Sequence, residues 1–181
     1  KADQQYKYYL CEDPEEIIIA STQEEVIPAI EKIEQMQKEG YYLAGWISYE
    51  ASTAFDPRHK VLSNGDFPLL LMMATKTIKQ VSLKDLKDYK RSHICHSLEP
   101  HINQTEYEES CSKVLDYIYE GDIYQANYSF RCDAKINCHP YEMFQKLENE
   151  HPVPYSIYVE TDEWQIISQS PELFLEKRHK Q

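Results

Sequence analysis

An α+β fold is predicted for this 181-residue sequence by two features: amphipathic helices announced by capping motifs, and apolar strand-like runs that mostly come as hairpin-linked pairs. The two kinds alternate along the chain, and no repeat or low-complexity segment interrupts them. A third observation, 41% hydrophobic residues, provides enough apolar material for a core. The order of elements divides the chain into an N-terminal sheet-plus-helix lobe over residues 1–100 and a second lobe over residues 101–181.

The first lobe opens with a short strand, EEIIIA, and a helix headed by Thr22 and Glu25, whose T-x-x-E spacing is a capping box. Val26, Ile30, Ile33 and Met36 recur at helical spacing, and Gly40 supplies the stop. Pro28 lies inside the pattern, so the helix either kinks there or begins after it. Tyr41 to Ser52, YYLAGWISYEAS, is apolar almost throughout, as expected of a strand covered on both faces, with Gly45 allowing close backbone approach. A turn at Asn64 and Gly65 then leads into a second buried strand within PLLLMMAT. From Lys79 to His101 the periodicity is lost, and the segment reads as a surface connection between the lobes.

The second lobe begins with Thr105 and Glu108, again a capping box, followed by Tyr107, Cys111, Val114, Leu115 and Ile118 on one helical face. Gly121 closes that helix. Next comes GDIYQANYSFRC, which splits by parity like a strand: Tyr124, Ala126, Tyr128 and Phe130 on one side, Gln125, Asn127, Ser129 and Arg131 on the other. Two amides, a hydroxyl and a guanidinium in a row either line a pocket or form a structural hydrogen-bond network. A helix from about Pro140 turns Met143, Phe144 and Leu147 inward. PYSIYVE and WQIISQS then form a hairpin across Thr161, Asp162 and Glu163, and SPELFLEKRHKQ is a last strand-like run.

Composition excludes several classes of partner. Lys plus Arg number 19 against 31 Asp plus Glu, a formal charge of -12, so binding driven by neutralised phosphate is not expected and nucleic acid is no partner. The longest uncharged apolar runs are far too short for a bilayer, and the polar start KADQQYKYYL is not a signal peptide, so no membrane is expected. Five cysteines, Cys11, Cys95, Cys111, Cys132 and Cys138, are irregularly spaced, which fits reduced thiols in the cytoplasm. His93, Cys95 and His96 lack companions at zinc-site spacing and read as loop residues.

Three stretches carry a resemblance: YYLAGWISYEASTAFD, GDIYQANYSFR and ISQSPELFL, in this order. Together they resemble the chorismate-utilising enzymes over nearly the whole chain. Within that superfamily the G-x-x-S-Y-E-A block of Gly45 to Ala51 and Asn127 are most similar to component I of the aminodeoxychorismate (para-aminobenzoate) synthases. Component I of anthranilate synthase is the alternative, usually with a small apolar residue in place of Asn127.

The resemblance implies two large, mainly antiparallel sheets with helices outside and an active site in the cleft between them, of which this chain is the N-terminal part. It implies amination of chorismate at C4 to 4-amino-4-deoxychorismate, on the way to para-aminobenzoate and folate. Ammonia would come from a glutamine amidotransferase subunit, and Mg2+ would hold a substrate carboxylate. Chorismate is a dianion, so a chain of charge -12 needs that cation and local basic groups to reverse the field in the pocket.

Within this resemblance Glu172 of S-P-E is the general acid that protonates the departing hydroxyl. Read without it, the same residue is a solvent-facing glutamate after a proline turn. Tyr124, Gln125 and Asn127 fall on the pocket wall or its scaffold, and Ser170 shapes the turn that aims Glu172. Pro154 and Tyr155 resemble a tryptophan-contacting segment, but no partner motif accompanies them and Tyr155 is expected in the core. The family's nucleophilic lysine, magnesium ligands and carboxylate-gripping groups are expected beyond Gln181, so these 181 residues alone are expected to be inactive. A non-catalytic binding module of the same ancestry is the reading of a different class.

Overall fold

In the computed structural model, residues 7–56, 58–61, 65–82 and 95–177 are described. The chain divides into two compact units, Lys1–Lys87 and Asp88–Gln181. The first contains strands β1 (Tyr8–Leu10), β2 (Glu16–Ala20), β3 (Tyr42–Ile47), β4 (Leu70–Thr75) and β5 (Lys79–Val81), with helix α1 (Gln23–Lys38) and a 3-10 helix at Tyr49–Ala54. The second contains β6 (Cys95–Pro100), α2 (Gln104–Glu120), β7 (Cys132–Ile136), α3 (Pro140–Glu150), β8 (Tyr155–Glu160) and β9 (Gln165–Ser170). Every paired strand is antiparallel.

In the first unit β4 is the central strand of a three-stranded sheet ordered β2-β4-β3. Its residues Leu70 and Ala74, facing Ala20 and Glu16, join Ile18, Val26, Ala29, Met36, Ala51 and Leu69 in a buried cluster under α1. A fully buried leucine or valine contributes about 1.5–3 kcal/mol, which makes Leu70 and Val26 leading contributors to this unit. The expected helix begins at its capping box, where the Glu25 carboxylate accepts from the Ser21 and Thr22 N–H groups at 2.8 and 3.0 Å. Pro28 is carried within it as the sixth helical residue, at the cost of one backbone N–H donor.

The expected strand over Tyr41 to Ser52 is corrected in two respects. Only Tyr42–Ile47 is strand, and the chain then turns into the 3-10 helix, with Ser48 N–H donating to the Leu69 carbonyl at 2.8 Å. Nor is β3 covered on both faces, since Tyr42 and Ile47 are exposed at the edge of the sheet. Gly45 does allow close approach: a Cβ there would run into the Leu71 carbonyl of the neighbouring strand. Gly65 has a left-handed backbone as the turn requires, while Asn64 lies outside the described residues.

Three further expectations are corrected. The connection expected over Lys79 to His101 carries strands at both ends, β5 paired with β1 and β6 paired with β7. Apolar patterning missed them because their described side chains are mostly exposed; backbone ladders join them, with an ion pair from Lys79 of β5 to Glu12 at 3.0 Å beside the first. Helix α2 starts two residues earlier than expected, because Asn103 and Glu106 exchange side-chain-to-backbone bonds at 3.0 Å each, and asparagine outranks threonine as an N-cap. It ends at Gly121, whose left-handed backbone lets its N–H turn back to the Ile118 carbonyl.

The third correction concerns residues 121–131. The parity pattern predicts a strand there, yet regular pairing starts only at Cys132. Strand geometry needs a neighbour to take its N–H and C=O groups, and among the described residues 124–130 have none. Leu173, Phe174 and Leu175 of the strand-like LFL are likewise exposed and belong to no ladder among the described residues. The β8–β9 hairpin forms as expected, turned by Thr161, whose Oγ1 accepts from Trp164 N–H at 2.8 Å. Helix α3 lies on this hairpin, with Tyr141 and Phe144 against Tyr158 at ring distances of 5.2 and 5.8 Å.

Two outcomes check this account. Gly45→Ala destabilises the first unit by about 1–3 kcal/mol in chemical denaturation, because backbone must move to admit the methyl group. The N–H groups of Ser21 and Thr22 hold the Glu25 carboxyl below the usual carboxylate range, so its stabilisation is present above the unfolded carboxylate range and is lost as pH falls through the lower folded value. Glu25→Gln therefore lowers the melting temperature at neutral pH, and the gap from the parent closes in acid; a gap that persists in acid would contradict the capping role.

Candidate functional site

The last strand delivers the S-P-E turn. Tyr155 faces Ser170 at the end of the β8–β9 ladder, and the Ser170 hydroxyl donates to the Glu172 carbonyl at 2.9 Å. That bond closes a tight local turn around Pro171, so Ser170 shapes the backbone that presents Glu172. The Glu172 side chain itself is exposed.

Tyr124, Gln125 and Asn127 also belong to the second unit, on the irregular segment after α2. All are exposed, Tyr124 to 90%. Among the described hydrogen bonds none joins them to Ser170 or Glu172. The segment is fastened at its two ends: Asp122 N–H donates to the Tyr117 carbonyl at 3.0 Å, and Tyr128 and Phe130 stack on Tyr107 of α2 at 5.8 and 5.7 Å. Hydrogen bonding to Cys111, and the neighbouring Cys111 and Tyr128, push the Tyr107 hydroxyl's pKa upward, which keeps that anchor neutral. The apolar half of the parity pattern thus has a partner in α2, while the polar half faces outward.

Among the described residues no three His, Cys, Asp or Glu side chains converge as a metal site. The side chains of His93, Cys95 and His96 lie outside the described residues. Cys11, Cys111, Cys132 and Cys138 are free thiols, and burial pushes the Cys11 and Cys138 thiols up. No described helix is long and apolar enough to cross a membrane. In the first unit Tyr9, Cys11, Tyr42 and Thr75 border an open apolar hollow of about 250 Å³.

The family model for chorismate binding enzymes matches residues 1–181. The chain belongs to this family. It is 38% identical over 74 residues to aminodeoxychorismate synthase component 1 of Bacillus subtilis strain 168, a stretch covering 41% of this chain and 16% of that protein. It is 30% identical over 94 residues to the probable anthranilate synthase component 1 of Schizosaccharomyces pombe, covering 52% of this chain and 19% of that protein. The crystal structure of anthranilate synthase component I from Streptococcus pneumoniae TIGR4 matches with a TM-score of 0.66 at 14% identity, over 95% of this chain and 52% of that one. The expected mixture of antiparallel sheet and helix is therefore the fold of this family, and the chain spans about half of the solved relative.

This family member exposes Asn127 without a tertiary hydrogen bond among those described, so Asn127→Ala should change unfolding free energy by less than about 0.5 kcal/mol. A larger loss in denaturation would assign Asn127 to a structural network. A loss of chorismate turnover in the complete polypeptide without loss of stability would assign it to the pocket.

Proposed function

We propose that this chain is the N-terminal part of a cytoplasmic aminodeoxychorismate synthase component that aminates chorismate at C4, giving 4-amino-4-deoxychorismate for para-aminobenzoate and folate synthesis. A glutamine amidotransferase subunit supplies the ammonia, and Mg2+ held by residues beyond Gln181 neutralises a substrate carboxylate. The observation that carries this choice of product is Asn127 in G-D-I-Y-Q-A-N, together with the G-x-x-S-Y-E-A form of the front block. The 38% identity to the Bacillus subtilis component supports it.

Hydroxide is a poor leaving group, so the step at C4 needs a proton delivered as the C–O bond breaks. In this reading the Glu172 carboxyl gives that proton to the C4 oxygen, the bonding electron pair stays with the oxygen, and water departs. An acid can hold its proton to neutral pH only in a desolvated setting. Glu172 is exposed on this chain, so the remainder of the fold is what would enclose it. The 52% coverage of the Streptococcus pneumoniae chain supports a second half of about that size.

The reading as anthranilate synthase component I is favoured by the longer similar stretch, 94 residues, in the Schizosaccharomyces pombe protein. Product identity separates the two. The complete polypeptide supplied with chorismate, ammonium and magnesium should yield 4-amino-4-deoxychorismate, identified by mass and NMR; fluorescent anthranilate would overturn the proposal. Glu172→Gln should lower kcat by at least about 100-fold. Near-normal turnover would remove Glu172 from the acid role, and absence of turnover in the parent would favour a binding module.

A further inference from the structure

Two polar side chains are buried among the described residues, Thr75 and Glu148. Thr75 is accounted for locally: its hydroxyl donates to the Thr77 carbonyl at 3.1 Å and accepts from the Thr77 N–H at 3.2 Å. Glu148 is different. It is 2% exposed on the face of α3 that carries Phe144 one turn earlier, where packing alone would favour leucine or methionine. Its Oε1 accepts a 2.6 Å hydrogen bond from Nε2 of Gln169 on β9.

The position of Gln169 gives that bond a consequence. Gln169 and Ile167 share a strand face with Ser156 and Tyr158, the face on which α3 packs its rings. Ser170, the next residue, points the opposite way and donates to the Glu172 carbonyl. The ring contacts between α3 and the hairpin are non-directional and tolerate sliding or twisting of the strand. A short hydrogen bond between a buried carboxyl and the penultimate residue of β9 is directional, and fixes the strand's rotation just before S-P-E.

We propose that Glu148 is a positioning residue for Glu172: through Gln169 it holds the end of β9 so that the Ser170-closed turn aims the catalytic carboxyl. This rests on the acid role given to Glu172 above. The bond replaces apolar packing that would stabilise the unit at least as well, and what it adds is orientation.

The test uses the complete polypeptide with chorismate, ammonium and magnesium. Glu148→Ala should lower kcat about tenfold or more with KM for chorismate within about twofold, and Glu148→Gln, whose amide oxygen can accept the same bond, should recover most of kcat. Because Glu148→Ala also removes buried packing between α3 and β9, the decisive variant replaces both partners, Glu148→Met with Gln169→Met. An apolar pair should keep the melting temperature close to the parent while kcat stays about tenfold low, and hydrogen exchange at Ser170 and Glu172 should quicken. Full recovery of kcat along with stability in the double variant would make Glu148 merely structural and overturn the proposal, as would normal kcat in folded Glu148→Ala. Near-normal turnover in Glu172→Gln would instead sink the acid role, while the exchange measurement would still report whether Glu148 holds the turn.

Discussion

Backbone pairing is the constraint from which the rest of this structure follows, because a strand keeps its shape only where a neighbour takes its N–H and C=O groups. Leu70–Thr75 has such neighbours on both sides, and the buried cluster of the first unit forms on it under the amphipathic helix. Among the described residues the second unit has two-stranded ladders, and its buried side chains are Phe144, Glu148 and Val159. The stretches 124–130 and 171–177, which have no partner strand among the described residues, hold the aromatic and apolar residues Tyr124, Leu173, Phe174 and Leu175 in solvent. These are also the stretches that resemble the catalytic half of the family. Exposed edges and apolar patches of this kind call for covering by further sheet, in keeping with a chain that spans about half of its solved relative.

Legibility followed the same constraint. Glu16–Ala20, Leu70–Thr75, the first capping box and the β8–β9 hairpin were readable because local pattern and final pairing agree there. The parity of Tyr124 to Arg131 was a true pattern whose strand partner is not among the described residues, so alternation did not become a strand. The pair Cys95–Pro100 and Cys132–Ile136 was unreadable for the converse reason: its described side chains are mostly exposed and gave no apolar pattern, while a backbone ladder joins the two strands. Gly45 was legible as a close approach, since few other reasons put glycine amid an aromatic strand. Glu148 was missed because a glutamate one turn after Phe144 looks like the solvent side of a helix; in the fold it accepts from the facing Gln169.

For the site, the sequence located the residues and the structure supplied their surroundings. The Ser170 hydroxyl donates to the Glu172 carbonyl within the S-P-E turn. The polar row at Gln125 and Asn127 is exposed, and its aromatic counterpart at Tyr128 and Phe130 rests on Tyr107. A net charge of -12 and a solvent-facing Glu172 are both poor conditions for protonating the hydroxyl of a dianion. Enclosure and a cation would correct both together, and in the proposed function each comes from the remainder of the fold.

The central claim is that these residues work as part of a larger chorismate-binding polypeptide. Its most direct test is the intact mass of the protein as its natural source produces it. The account predicts a mass well above 21.4 kDa, with sequence after Gln181 able to pair with residues 124–130 and 171–177. A mature mass near 21.4 kDa would contradict it, and would leave a protein of this family whose S-P-E turn has no enclosing half.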